Sequence, residues 1–131
     1  MDRSRAAMRA LSAISLHHPA HLTACFATLY TTFWVHRNPI SQPQTWTAAL
    51  TSVLGETSTR EIVRLAGEAE AKELLKANTD LAVREGAFGL PWFVATDAEG
   101  RREGFWGFDH LGQVVDFLGL ERRDEGFRAM L

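Results

Sequence analysis

Cysteine is nearly absent from this sequence, which has one, Cys25, in 131 residues. A single cysteine cannot form a disulfide within the chain, and without a Cys-x-x-Cys pair it cannot carry out dithiol redox chemistry alone. Excess charge of one sign is also lacking, since the formal net charge is −2. That balance argues against nonspecific electrostatic binding to nucleic acid or to an anionic membrane.

Long apolar runs and a secretory leader are missing as well. No stretch is long enough for a membrane-spanning helix. The opening residues, MDRSRAAMRALSAISL, bear arginine and almost no acid, so they fit either a mitochondrial-type presequence or an ordinary first helix. The apolar spacing continues past them and favours the helix. We therefore expect a soluble intracellular protein.

Histidine is the one potential metal ligand that clusters. His17, His18, His21 and His36 lie in the N-terminal region, but none has zinc-site spacing with cysteines or acids. Because Pro19 interrupts the helical register between His17 and His21, a surface cluster is favoured over a metal site. Cys25 lies among helix-core residues, which favours buried packing over a nucleophilic role. We predict no metal ligands.

What the sequence has in abundance is helical periodicity over its first two thirds. Five helices are predicted, over residues 3–16, 19–36, 44–54, a short segment ending near 66, and 68–84. The second is the most apolar, and we expect it at the centre of the helical core. Ser58 and Glu61 have the spacing of a capping box for the fourth. Trp34, Trp46 and Phe33 are candidates for a hydrophobic co-substrate pocket, although plain core packing is favoured.

The last third changes character after Gly86. Residues 92–96 and 103–108 read as two strands of a hairpin, and Asp109 is a natural N-cap for a helix over residues 110–118. We predict a mostly α fold with a C-terminal β-hairpin (α+β). Its parts are a helical domain at 1–86, a ββα part at 87–121 and a charged tail at 122–131, where Phe127, Met130 and Leu131 are candidates to dock a terminal helix. A lone hairpin is marginally stable, so the sequence indicates more sheet than two strands.

The segment Gly86–Val94, GAFGLPWFV, is the most distinctive local feature. Proline has no N–H for a ladder, so Pro91 marks a strand start, and a bond such as Leu90–Pro91 is the only common site of a cis peptide. Gly86 and Gly89 allow sharp turns before it. Two interpretations remain open: Leu90 presents its backbone to a ligand, or the dipeptide simply turns the chain into the strand.

The run AVREGAFGLPWFVATDAEGRREGFWGFDHLGQVVDFLG resembles the C-terminal part of kappa-class glutathione transferases and of the related 2-hydroxychromene-2-carboxylate isomerases, in the DsbA-like branch of the thioredoxin fold. The motif Gly-Ala-Phe-Gly-hydrophobic-Pro and the later Gly-x-Asp motif, here FWGFDH, occur in the family's order and separation. Residues 4–86 resemble the family's helical insertion, with its His-Pro junction at His18–Pro19. The resemblance implies the C-terminal ββα half of a thioredoxin-like fold, with glutathione as co-substrate.

The resemblance also assigns roles to four residues. In the family, the residue before the proline offers its backbone N–H and C=O to the cysteinyl part of glutathione, which here falls to Leu90, with Pro91 expected to be cis. Phe108 and Asp109 stand where the family holds the γ-glutamyl amine and carboxylate. Asp109 is also open to being an N-cap alone. Two departures are Phe108 in place of a common serine and His110 in place of a frequent arginine.

The family's first strand and helix, which carry its catalytic serine, have no counterpart in these residues. The six serines all fall in the helical region: Ser4, Ser12, Ser15, Ser41, Ser52 and Ser58. We therefore expect either a chain truncated relative to the family or a degenerate member, with no catalytic residue of its own and no activity alone. The alternative is a non-catalytic helical remnant that acts as a dimerisation or partner-binding module.

For a complete protein, the resemblance implies a glutathione transferase, or a glutathione-dependent isomerase or oxidoreductase. Its partners would be glutathione, a hydrophobic electrophile and, as a homodimer, a second copy. The resemblance implies a mitochondrial or peroxisomal location, and otherwise the cytoplasm is expected.

Overall fold

The computed structural model describes residues 5–121 and divides into two compact units, the first ending at Asn78 and the second beginning at Thr79. The described elements, in chain order, are α1 (Arg5–His17), α2 (Leu22–Tyr30), α3 (Pro43–Leu54), α4 (Glu56–Leu65), α5 (Ala69–Arg84), β1 (Trp92–Thr96), β2 (Arg102–Trp106) and α6 (Leu111–Phe117). The predicted class, mostly α with a C-terminal hairpin, is confirmed. The predicted tail at 122–131 lies outside the described residues, and the predicted domain boundary after residue 86 stays a prediction.

Prolines set several of these boundaries. Pro19 opens a short 3₁₀ turn, Pro19–His21, that leads directly into α2, and Pro43 is the first residue of α3. A proline suits a helix start because the first N–H groups of a helix have no partner within it. Helix α2 continues into a π-helical turn, Thr31–Val35. None of the helices within residues 5–121 is long and apolar enough to cross a membrane.

The centre of the helical core is α1, and the prediction that the second helix occupies it is wrong. Helix α1 contributes the largest group of buried apolar residues: Ala7, Ala10, Leu11, Ala13 and Ile14. Helix α2 contributes Cys25 and Leu29 alone. Periodic apolar residues show that a helix has an apolar face. They do not show which helix of a group is surrounded by the others. Ala7, Ala10 and Ala13 of α1 are fully buried, whereas Phe26 and Tyr30 of α2 are exposed.

The aromatic residues of the helical region divide between core and surface. Trp46 in α3 is buried, as plain core packing predicts. Trp34 is 69% exposed and Phe33 is exposed as well, so the core interpretation is wrong for these two. Their rings contact each other edge to face with centroids 4.8 Å apart. The π-helical turn therefore carries apolar surface that nothing within the described residues covers.

The junction between α3 and α4 contradicts the predicted capping box. Gly55, at φ +79°, ends α3 and immediately precedes α4, so Ser58 lies inside the helix instead of capping it. The Thr59 hydroxyl donates a hydrogen bond to the Gly55 carbonyl (2.8 Å). Gly55 can form this turn because glycine adopts positive φ without steric cost. Ser58 matches the capping pattern in sequence, but the backbone turn comes three residues earlier.

The second unit is built on an antiparallel hairpin. Trp92 pairs with Trp106 and Thr96 with Arg102, so β1 begins where β2 ends. The turn is held by the Asp97 carboxylate, which accepts hydrogen bonds from the backbone N–H of Glu99 (3.0 Å) and from that of Arg101 (2.8 Å). These bonds pin the loop and leave the other end of the hairpin, at Trp92 and Trp106, as its open end.

Candidate binding site at the open end of the hairpin

The two segments that the sequence singled out meet at the open end of the hairpin. The Gly107 N–H donates a hydrogen bond to the Pro91 carbonyl (3.0 Å), one step beyond the Trp92–Trp106 pair. Proline has no N–H with which to continue the ladder, so the regular pairing stops there. Leu90–Pro91 and Phe108–Asp109 are thereby brought to the same end of the sheet.

Leu90 lies just outside the last ladder bond. Its peptide bond to Pro91 is cis, and 85% of Leu90 is exposed. Within residues 5–121, no hydrogen bond engages the Leu90 N–H or C=O. Continuing the register of the hairpin would place Leu90 opposite Phe108, whose side chain is also exposed. Leu90 therefore offers a free amide and a free carbonyl of the kind that pair with an extended peptide.

Asp109 reaches the same region through an unusual turn. Gly107, at φ +93°, precedes a short 3₁₀ turn, Phe108–His110, and a Cβ at Gly107 would overlap Asp109 Oδ1. The Asp109 side chain is 79% exposed, and its Oδ1 lies 3.4 Å from His110 Nδ1. That histidine nitrogen is buried and has no hydrogen-bond partner within the described residues. The Asp109 carboxylate is thus held over a glycine and directed to solvent.

The prediction that Asp109 caps the last helix is wrong. Helix α6 begins at Leu111, two residues later, and its N-terminus has no side-chain cap. The preceding 3₁₀ turn takes up the residues that a simple cap would have occupied. The Asp109 carboxylate is therefore not engaged at the start of α6 and remains accessible to a positively charged group.

Three aromatic rings, those of Phe88, Trp92 and Trp106, pack together next to the loop that leads to Leu90. The Phe88 ring lies 5.3 Å from the ring of Trp92 and 5.3 Å from the ring of Trp106. Glycines make this packing possible, because a Cβ at Gly89 would overlap Trp106 Nε1, and one at Gly104 would overlap Trp92 Cζ2. The loop before Leu90 therefore packs directly on the open end of the hairpin, with the Phe88 ring at steep angles to both indoles.

The pKa of Asp97, at the other end of the hairpin, departs from its ordinary value. Its side chain is only 3% exposed. Burial acts to raise the pKa of Asp97, but hydrogen bonds and charge from Arg101, with the Glu99 N–H, outweigh it and lower that pKa. Glu85 and Arg102 add an ion pair of 2.7 Å beside the same strand. These groups fix the hairpin and do not face its open end.

The remaining candidates in the described chain are a buried cysteine and the N-terminal histidines. Cys25 is fully buried, and burial raises the pKa of its thiol, which disfavours the reactive thiolate. Among residues 5–121, no group of three or more His, Cys, Asp and Glu is placed to hold a metal ion. His17 lies instead 3.8 Å from Glu70, as a partly exposed surface pair.

The sequence interpretation found Leu90, Pro91, Phe108 and Asp109 but missed the residues that place them. Gly107 carries a sequence signal, a glycine between two large aromatics at a strand end, where positive φ is common. Trp106 gives no such signal, because an aromatic residue in a strand is ordinary and its contact with Gly89 depends on the fold.

Known protein families and relatives resemble this chain in sequence. Residues 1–119 match the DSBA-like thioredoxin domain. The chain is 31% identical over 117 residues to human glutathione S-transferase kappa 1, an alignment that covers 88% of this chain and 51% of that protein. It is 44% identical over 59 residues to glutathione S-transferase kappa 2 of Caenorhabditis elegans, covering 44% of this chain and 26% of that protein. The matched part of the chain thus corresponds to about half the length of the human relative and to about a quarter of the length of the nematode relative.

Proposed function

The chain belongs to the DSBA-like thioredoxin domain family and is similar to kappa-class glutathione transferases, and on that premise we propose that it binds glutathione through Leu90, Pro91, Phe108 and Asp109. The observation that carries the proposal is the Leu90 backbone at the open end of the hairpin, which has no hydrogen-bond partner within residues 5–121. Glutathione is a short peptide, and main-chain pairing gives such a ligand affinity that tolerates change in neighbouring side chains.

Each part of the site has a complementary part of glutathione. The Leu90 N–H and C=O pair with the cysteinyl residue, as one further strand position next to Pro91. The Asp109 carboxylate, exposed and held over Gly107, pairs with the γ-glutamyl ammonium group. The Phe108 ring, half exposed between these two, contacts the stem of the ligand.

The reaction proposed for the whole protein is attack of the glutathione thiolate on an electrophile, or a glutathione-dependent isomerisation. Both require a group that stabilises the thiolate, because the thiolate is the nucleophile. Three serine hydroxyls of the helical unit already donate to backbone carbonyls of their own helices: Ser12 to Met8, Ser15 to Ser12, and Ser52 to Ala49. We therefore assign residues 5–121 a share of the binding site and assign none of them a catalytic role.

Calorimetric titration of the purified chain with reduced glutathione tests the binding proposal. We expect a Kd tighter than about 10 mM, weak because only part of the ligand is contacted. Replacing Asp109 by alanine should weaken binding by roughly two- to fivefold, as expected for loss of one exposed ion pair.

Glu103→Ala is the matched control, since it removes an exposed acid from the same hairpin away from the open end. Its titration should match that of the unaltered chain. Binding weaker than about 10 mM that is unchanged by Asp109→Ala would exclude this site for glutathione.

A second candidate function, a dimerisation or partner-binding module, is favoured by the apolar surface of the helical unit. A cavity of about 230 Å³ there is lined chiefly by Phe26, Leu29, Tyr30, Phe33, Trp34 and Ile40. That volume falls below the roughly 300–1,000 Å³ usual for ligand pockets, which favours a protein partner over a small molecule. Light scattering tests this candidate: self-association that is abolished by Trp34→Lys supports it, and a monomer at high concentration excludes a homodimer.

A further inference from the structure

The Trp106 indole packs on Gly89, in the loop directly before Leu90. Gly89 immediately precedes Leu90, and three atoms of the indole, Nε1, Cδ1 and Cε2, lie where a Gly89 side chain would begin. Apart from the two adjacent residues, no other described atom approaches that position as closely. The indole therefore lies directly against the Gly89 Cα.

Trp106 is itself held in place from two directions. It is the last residue of β2 and pairs with Trp92 across the hairpin. Residues directly opposite in an antiparallel pair project to the same face, so both indoles lie on one side of the sheet. The Phe88 ring packs against both of them, with centroids 5.3 Å away in each case. The contact with Gly89 is thus made by a side chain whose own position is determined by the sheet.

Both neighbours of Leu90 in the chain are held in place. On one side Gly89 is packed against Trp106, and on the other the Pro91 carbonyl accepts a hydrogen bond from Gly107. Leu90 has neither a buried side chain nor a backbone partner among the described residues. Its conformation must therefore be set by its neighbours.

We propose that Trp106 is a positioning residue for the binding site: by packing on Gly89 it holds the Leu90 amide and carbonyl in the orientation that receives an extended peptide ligand. The inference rests on the proposed function only for the identity of that ligand. In this proposal Trp106 acts through Gly89 and Leu90 and not by contact with glutathione. It restricts the loop before binding, which reduces the ordering that the ligand would otherwise have to impose.

A double-mutant cycle tests the contact through which Trp106 acts. Gly89 does not adopt a positive φ, and the three atoms nearest to an added Cβ, apart from the adjacent residues, all belong to the Trp106 indole, so alanine there would clash first with Trp106. Gly89→Ala should displace the Leu90 amide resonance in the ¹⁵N spectrum of the free full-length chain. In a Trp106→Val background, which removes the indole but keeps a good strand former, Gly89→Ala should cause only the small displacement expected from changing the residue that precedes Leu90.

The same four proteins are then titrated with reduced glutathione. We expect Gly89→Ala and Trp106→Val each to weaken glutathione binding at least about threefold. The double variant should bind no more weakly than whichever single variant binds more weakly, as for residues in direct contact. Phe105→Val is the matched control background, because Phe105 lies on the adjacent strand position and packs instead against Phe117. There the effect of Gly89→Ala should be unchanged.

Additive effects of Gly89→Ala and Trp106→Val on the Leu90 resonance would overturn the inference. If Trp106→Val does not fold, judged by circular dichroism, Trp106→Leu provides the same cycle with a larger side chain. The spectra of the free protein need no ligand. A chain that does not bind glutathione but shows the predicted coupling would therefore contradict the proposed function and leave the positioning by Trp106 supported.

Discussion

At the scale of single residues, Gly107 decides where the Asp109 carboxylate lies. Gly107 and Gly100 both have positive φ, +93° and +80°, but only Gly107 lies against Asp109. Replacing either by alanine should lower the free energy of unfolding by about 1 kcal/mol or more, because an L side chain is disfavoured in that conformation. Only Gly107→Ala should also weaken glutathione binding, because its Cβ displaces the carboxylate.

Urea unfolding and glutathione titration of the two alanine variants measure these two effects separately. Gly100→Ala serves as the control, since a Cβ there meets nothing within 4 Å. Equal loss of glutathione binding in both variants would show that strain in the hairpin, and not the placement of Asp109, controls the site.

Asp97 gives a prediction about pH. Its folded-state pKa is lowered because the Arg101 and Glu99 contacts outweigh the effect of burial, so the ionised form stabilises the hairpin. That stabilisation is complete above the unfolded-state pKa, about 4, and is lost as the pH falls through the lower folded-state pKa. The difference in Tm between the unaltered chain and Asp97→Asn should therefore be largest near neutral pH and shrink in acid.

Glu99→Gln is the control for the pH series. Glu99 also lies near the Arg101 guanidinium, at 3.6 Å, but it is well exposed, and exposed pairs contribute little. Its effect on Tm should be small at every pH. An Asp97→Asn difference that grows as the pH falls would contradict the assigned direction of the pKa shift.

At the scale of elements, the roles of α1 and α2 in the core can be tested by truncation. Ile14 in α1 is fully buried, so Ile14→Ala should lower the free energy of unfolding by about 2–5 kcal/mol. Phe26 in α2 is a larger side chain but is 40% exposed, so Phe26→Ala should cost less than Ile14→Ala. Urea unfolding of both variants measures the difference, and the opposite ranking would restore α2 as the centre of the core.

The same elements show which parts of the fold are readable from the sequence. Strand β1 was predicted with its observed bounds, since Pro91 and Asp97 end it on both sides and its residues favour strands. The capping positions at Ser58 and Asp109 were not readable. Each depends on a nearby glycine with positive φ, Gly55 or Gly107, which shifts where the helix begins.

At the scale of the whole molecule, the sequence identified both segments of the candidate site but not how they meet. The motifs around Leu90 and Asp109 lie some way apart in the chain, and the hairpin register brings them to one end of the sheet. The hydrogen bond from Gly107 to Pro91 follows from that register. The contact of Trp106 with Gly89 does not follow from the register. It depends on the path of the loop through Gly89, which no local sequence pattern predicts.

The 131-residue chain as a whole should bind glutathione without turning it over. Incubated with glutathione and an activated aryl chloride, it should form conjugate no faster than the solution without protein. The reason is that glutathione is mostly a thiol at neutral pH, and the described residues contain no assigned donor to stabilise its thiolate. Absorbance of the conjugate measures the rate. The human kappa 1 relative, assayed in parallel, is the positive control. A saturable rate that Asp109→Ala abolishes would show that these residues suffice for catalysis, and would refute the assignment of a share of the binding site alone.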